Sequence, residues 1–500
     1  MKLSDQKLPE QTTTPNNDTV HYKRDSGRRI IHMQTLSTLI DEASHHARVC
    51  EEKICFRYET WVGLVCYFTY SCEKCKYAFK VVSDHCDSSL PVNEAAVWGI
   101  IKGGGGYNSL FDFFKILDIP PLSYVLYKRA EYKIHDFFEN SLEKTIKQNG
   151  LEEMELALQD PATIYYDGTP GITVTCDGGW GKRSYGHSYT SLSGCAVIIG
   201  NRTGKILHLG TRNKYCTICD RQQPKNQKQK KHTCFKNHNG TSSNMETDII
   251  VEGFLSSQKT HNLIYNKMLG DQDSSCYATV KDAMRSKYKV NVEKINCVNH
   301  AIRSLNSKLY KMKNNTKAYS LKSRKWLEAK ITKLGLGCKS AIIYNHQNNG
   351  KDSNWNSLRG DLLNVPKHVA GDHKGCRKYF CKKVSAVEEI VSDSAFWKDL
   401  GTCFSQIADL SPTLIPNMKS NMAESFMSLM SKYLGGKRKN FYHRNQFTTR
   451  VLFAGNNHRK GNHADRLTYK LIFNKSPKTI WSRKPHGYRL VKTRRVCFHV

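Results

Sequence analysis

Apolar and polar residues alternate along ITVTCD, which sends Ile172, Val174 and Cys176 to one face of a strand and Thr173, Thr175 and Asp177 to the other. The strand pattern continues through SLSGCAVIIG, an NRTGK hairpin turn and ILHLG at Leu209. A helical period follows from about Met245 to Lys259, then a further strand reaching Leu269. SCYATVKDAMRSKY, VEKINCV and HAIRSLNSKLYKM continue the alternation of helix and strand. Upstream, Trp61 to Phe79 reads as a strand, a CxxC knuckle at Cys72 and Cys75, and a return strand. From Asn93 the period is helical: NEAAVWGII, a glycine break at Gly103 to Gly106, SLFDFFKIL, an Ile119-Pro120-Pro121 stop and a long amphipathic run toward Gln148. Such helices suit a helix-turn-helix module or a small packing domain equally well. Residues up to about Tyr22 are polar and without period, and Lys311 to about Leu410 reads as polar and irregular.

Strand, strand, strand, helix, strand is the order of an RNase H-like sheet, so the predicted fold class is α/β: an RNase H-like catalytic core with zinc-binding insertions and an N-terminal α+β and helical domain. The predicted boundaries are a disordered tail (1–27), a zinc-knuckle and helical DNA-binding domain (28–160), a first core segment (161–310) with a zinc-binding insertion at about 211–244, an insertion domain (311–410), a second core segment (411–470) and a basic tail (471–500).

Composition narrows the partner. Lys and Arg number 77 against 44 Asp and Glu, a formal charge of +33 spread along the chain, and such a field draws polyanions. There is neither an apolar run of ~18 residues nor a cleavable signal segment at the polar start, which points to DNA and not to a membrane. In a reducing compartment, 18 Cys and 20 His are metal ligands and core thiols before they are disulfides.

Chemistry concentrates in a few places. Asp177 closes one strand, Asp271 follows another, and Glu424 lies in SNMAESFMSLM. Three carboxylates from separate elements are what two Mg²⁺ (or Mn²⁺) ions ~4 Å apart require, because hard cations take anionic oxygen. Asp167 competes with Asp177, and Asp273 with Asp271. Asn421 and Glu424 also have the spacing of a capping box, in which the glutamate merely satisfies a helix start. Cys216, Cys219, His232 and Cys234, with His238 as an alternative ligand, have the makings of a structural zinc site. His368, His373, Cys376 and Cys381 form a second candidate. Cys72 and Cys75 need two more ligands, for which Cys50, Cys55, His85 and Cys86 compete. Cys297 and His300 form a CxxH that is either half of a metal site or a buried thiol beside a hydrogen-bonded imidazole. Lys432, Lys437, Arg438, Lys439, Arg444 and Arg450, interleaved with Phe441 and Tyr442, read as a DNA-contacting group. The run Lys225 to Lys231 reads as a nuclear-import signal or a soluble loop tip.

In order, VTCDGGWGKR, YCTIC with HTCFKNHNGTSSNME, YNKMLGDQDSSCY, INCVNH and SNMAESFMSLMSKYLGGKRKNF resemble the Mutator-like transposases of animal genomes, from about Arg28 to about Trp481. The resemblance implies an RNase H-like fold, Asp177, Asp271 and Glu424 as a DDE triad, a CxxH after the second aspartate, and double-stranded DNA at transposon ends as substrate, handled by a homo-oligomer in the nucleus. This chain has GDQDS where the family's block is closer to GDGDS, and DGGW where DGTW is usual; both changes keep the carboxylates. A transposase-derived DNA-binding or regulatory protein that no longer cuts is the alternative, told apart by cleavage of a cognate terminal repeat.

Overall fold

Eighteen residues behind His32 wind into helix α1 (Met33–Cys50), with the His32 imidazole accepting the Gln34 N–H at the cap. A three-stranded antiparallel meander follows, β1 (Cys55–Val62), β2 (Val65–Ser71) and β3 (Ala78–Val82), in the order β1-β2-β3. Arg29 pairs with the buried carboxylate of Glu59 on β1. Next come α2 (Val92–Lys102), α3 (Tyr107–Ile116) and α4 (Tyr124–Leu158). The computed structural model describes residues 27–84, 90–165, 168–182, 190–222, 231–270, 274–350, 354–381, 393–460, 468–470, 479–484 and 487–492.

Two compact units divide the chain: Met1–Leu142 with Met430–Phe441 and Asn445–Val500, and Glu143–Leu429 with Tyr442–Arg444. In the first, the helices are packing elements. Trp98 of α2 and Phe138 of α4 meet Phe453 of a C-terminal helix, Gln446–Asn457, with Phe138 and Phe453 stacked at 3.9 Å between centroids. The third of these helices runs for 35 residues. The segment expected to be a basic tail contains an antiparallel strand pair, Thr479–Lys484 with Gly487–Lys492.

The second unit holds β4 (Gly171–Trp180), β5 (Ser193–Gly200), β6 (Ile206–Asn213), α5 (Thr217–Gln222), α6 (Asn244–His261), β7 (Ile264–Gly270), α7 (Ser274–Tyr288) and β8 (Glu293–Asn296). The sheet order is β6-β5-β4-β7-β8, with β4 antiparallel to β5 and parallel to β7. Alternation decides its faces. Ile172, Val174 and Cys176 share one apolar cluster with Ile249, Ile250 and Phe254 of α6 and Val280 and Met284 of α7. Thr175 pairs with Leu269, and Leu269 with Ile295, so these three side chains point to the other face.

The stretch expected to be irregular is helical. It forms α9 (Leu321–Gln347), α10 (Trp355–Val369) and α11 (Ser394–Ala408), which with α8 (Val298–Asn314), where HAIRSLNSKLYKM continues the pattern, and α12 (Ser411–Leu414) pack around Leu305, Leu327, Ile331, Leu358, Leu362 and Phe404. On α9, Leu327, Ile331, Leu334, Cys338, Ala341 and Ile342 recur every three or four residues and are buried. Lysines and two glycines between them mask that period in the sequence. Gly337 is required by proximity, since a Cβ there would stand 2.9 Å from the Val365 side chain on α10. Helices α13 (Asn421–Tyr433) and α14 (Gln446–Asn457) follow. Among the described residues no helix is long and apolar enough to cross a membrane.

Candidate functional site

Asp177 sits on the central strand β4, half-buried, and its Oδ1 accepts the Gly178 N–H at 2.9 Å. Side chains alternate along a strand, so Asp177 shares a face with Thr175 and hence with Leu269 and Ile295. Gly178 points the opposite way, where a Cβ would stand 2.3 Å from the Glu246 carboxyl; the glycine after the aspartate is therefore a steric requirement of α6. Burial drives the thiol of Cys176 well above its usual range, with Cys276, Glu246 and Asp177 adding to the rise, and a neutral side chain lies next to the aspartate. Asp271 and its rival Asp273 lie outside the described residues, as does Asp167. Asp271 follows directly on Gly270, the last residue of β7, and Gly270 is paired with Asn296 of β8.

The CxxH motif lies where β8 turns into α8. Cys297 caps α8 with extended backbone and joins Leu269 and Ile295 in a small apolar cluster against Met418. Its sulfur accepts from both the backbone N–H of Ser420, at 3.3 Å, and the Ser420 hydroxyl, at 3.2 Å. The Val298 N–H donates to Met418 O at 3.1 Å, and the Asn296 amide to Thr413 Oγ1 at 2.7 Å. This fastens the chain just before α13 to the end of β8.

Glu424, one turn into α13, is reached from the same motif. His300 Nε2 lies 3.3 Å from Glu424 Oε1, Arg303 Nη1 is 3.3 Å from the same oxygen, and the Ser420 hydroxyl is 3.4 Å away. Asn421 is the first helical residue and its side chain accepts from Asn299 at 3.0 Å. The Glu424 carboxylate is thus engaged by His300 and Arg303 of α8 and by the Ser420 hydroxyl, and Asn421 is turned to Asn299. Neither the thiol nor the imidazole of the CxxH belongs to a group of metal-binding side chains among the described residues; together they hold the segment that carries Glu424.

Two Cys/His groups foreseen from spacing converge in space. In each, the four ligand atoms lie within 4.8 Å of one another. His232 Nε2 is 3.4 Å from both Cys216 and Cys219, and Cys219 is 3.5 Å from Cys234. A tetrahedron with Zn–S and Zn–N bonds of ordinary length has edges of roughly 3.3–3.8 Å, so these separations fit a zinc centre. Burial pushes the Cys216 thiol up, but N–H groups of Cys219, Phe235 and Ile218 together with His232 bring it down to about 6. His238 stands apart: Nε2 is 2.9 Å from Thr241 O and Nδ1 is 2.8 Å from Asp248. Both nitrogens are committed to fixing the start of α6. In the other group His368 is 3.3 Å from Cys376, and His373 is 3.1 Å from His368 and 3.4 Å from Cys381. Burial, then the neighbouring His373, lowers the pKa of His368, which favours the neutral imidazole that ligates metal. The N-terminal CxxC meets Cys50 and a residue that was not among the competing ligands, His46.

The basic group divides. Lys432, Arg438, Lys439 and Arg444 are exposed and Lys437 is half-buried. Arg450 is fully buried: it lies 3.6 Å over the Phe441 ring, donates to Gly105 O at 2.6 Å and faces the buried Glu131 at 3.5 Å. Arg450 and the buried Phe441 are core, a correction to their reading as DNA contacts. Residues 225–230 of the lysine-rich run lie outside the described residues.

A family model described as Mutator-like transposase matches residues 27–381, which takes in Asp177, Cys297, His300 and every Cys/His group above and stops short of Glu424. No curated protein matches the chain.

Proposed function

The chain belongs to the Mutator-like transposase family, and from that premise we propose that its five-stranded sheet is an RNase H-like core that cuts DNA at transposon ends and joins it to a target. Asp177, Asp271 and Glu424 would hold a pair of Mg²⁺ or Mn²⁺ ions. The observation that carries this reading is the convergence at one sheet edge: Asp177 on β4, the end of β7 that leads into Asp271, and the β8 end to which Ser420 and Glu424 are fastened. Neighbouring strands are about 4.8 Å apart, so β4 and β8 are separated by only ~10 Å, a span that carboxylate side chains close from both sides.

When bound, the ions polarise the scissile phosphodiester and offset charge on the leaving oxygen. Asp177 and Glu424 supply hard anionic ligands from a rigid strand and a clamped helix. Arg303, already beside Glu424, supplies positive charge where a phosphate approaches. Water attack frees a 3′-hydroxyl, and that hydroxyl then displaces the 3′-oxygen of a target phosphodiester. Two ends must be held together for this, so the working form is a homo-oligomer, acting in the nucleus. Structural zinc at Cys216, Cys219, His232 and Cys234, and at His368, His373, Cys376 and Cys381, braces the two insertions.

The test is cleavage of DNA carrying the inverted repeats that flank the gene, with the full chain and Mg²⁺ or Mn²⁺. Nicks at the repeat ends support the proposal; salt-sensitive binding without cleavage assigns the chain to a silent, DNA-binding descendant. His300→Ala is expected to slow cleavage by about 10- to 100-fold at unchanged DNA affinity, because it removes an orienting partner of Glu424. Alanine at exposed Arg438, Lys439 or Arg444 is expected to weaken binding to all sequences alike and to reduce the slope of log affinity against log salt by about 0.9 for each phosphate no longer neutralised. An unaltered slope would remove that residue from the interface.

A further inference from the structure

Helix α1 has a shallow apolar footing, with Leu36, Leu39 and Ala43 half-buried on one face. Of its 18 residues only Thr35 and His46 are buried, both polar, while Met33, Ile40 and Val49 are 70%, 56% and 73% exposed. Most helices in proteins are stabilised by burying an apolar face, and α1 buries none of its apolar side chains fully, so a further attachment would add to its stability. At its C-terminal end His46 and Cys50, four residues apart and hence on one helix face, meet Cys72 and Cys75 from the turn between β2 and β3.

The four ligand atoms lie within 4.8 Å of one another. His46 Nε2 is 3.2 Å from Cys75 Sγ, and the sulfurs of Cys50 and Cys72 are 3.9 Å apart. A disulfide needs ~2.05 Å, so Cys50 and Cys72 are two thiols and not a bridge. The edges match the roughly 3.3–3.8 Å of a tetrahedral zinc centre to within a few tenths of an ångström. The turn is also shaped for a thiolate: the N–H groups of Cys75 and Lys74 point at the Cys72 sulfur, and Lys76 takes a φ of +62° that closes the knuckle. The N–H groups of Cys219 and Ile218 address Cys216 in the same way. Cys66 is buried elsewhere on β2, and His85 and Cys86 lie outside the described residues.

We propose that His46, Cys50, Cys72 and Cys75 form a structural zinc site of Cys₃His type that tethers α1 to the β2–β3 turn. Four protein ligands fill the tetrahedron, so the ion has no open position for chemistry. It adds to the few buried apolar side chains of the meander, Leu64, Cys66 and Val81. The assignment is independent of the catalytic reading, and each can fail alone.

Zinc is counted per chain in the purified full-length protein. Cys75→Ser and His46→Ala are each expected to lower the count by one ion, Cys55→Ser to leave it unchanged, and Cys75→His to retain the ion. Should the losing variants fail to fold, the unaltered protein decides by thiol alkylation mapped by mass spectrometry. Cys75 is exposed, so without metal it reacts at once. With zinc bound it is expected to be protected, and a strong chelator is expected to raise modification of Cys50, Cys72 and Cys75 about tenfold or more. Unchanged zinc content in Cys75→Ser, or equal modification of Cys75 with and without chelator, overturns the proposal.

Discussion

Asp177→Asn is expected to abolish Mg²⁺-dependent cleavage of a cognate end, a loss on the order of 10³-fold or more, with DNA binding and zinc content unchanged. The substitution isolates charge from shape. Asn has the same size, and its side-chain carbonyl still accepts the Gly178 N–H that Asp177 Oδ1 accepts at 2.9 Å. Half-buried on the central strand, the residue has no role in the apolar cluster against α6, so stability has little reason to move. What disappears is the anionic oxygen that a hard divalent cation demands. Cleavage in Mg²⁺ and Mn²⁺, a DNA titration and a metal count are measured on one preparation. Undiminished cleavage by the variant would reject Asp177 as a ligand and with it the proposed triad.

Arg450→Ala is expected to destabilise the first unit by about 3 kcal/mol, because it leaves Glu131 in the interior with less compensation. Arg450 and Glu131 are both fully buried, and Lys128 is the other cation against that carboxylate. The remaining Lys128 keeps the cost at the lower end of what a broken buried pair brings. Arg450→Met combined with Glu131→Gln is expected to restore only part of the loss, since it removes the Arg450 and Glu131 charges together but takes from the buried Lys128 the carboxylate it pairs with. Urea unfolding followed by a signal from the first unit checks both expectations. If Arg450→Ala weakened DNA binding and left stability unchanged, the buried placement would be wrong and the residue would rejoin Arg438 and Lys439 as a phosphate contact.

These two residues mark how far the sequence could be read. Asp177 was legible because a strand has a period of two and the alternation of ITVTCD settles which way it points. The two Cys/His groups at Cys216 and His368 were legible because their members lie close together in sequence. Arg450 was not, since a guanidinium among other basic residues reads as solvated until its partner, more than three hundred residues earlier, is known. His46 escaped for a similar reason: its partners Cys72 and Cys75 come from the hairpin turn, and only the HxxxC spacing to Cys50 hinted at a shared helix face. Helix α9 was hidden by lysines between apolar residues that turn inward at intervals of three and four. The link between Cys297 and Ser420 spans the whole of that insertion, and no local pattern encodes it.

The first unit draws on both ends of the chain, with Phe138 stacked on Phe453 and Glu131 facing Arg450. A ribosome therefore releases α4 long before it makes the segment that completes its packing, and Glu131 must wait in water until α14 emerges. An excised piece ending at Leu142 would lack that closing segment. The amino-terminal region is accordingly no detachable module to be shuffled between proteins, and a premature stop before Arg450 would undo it from the far end.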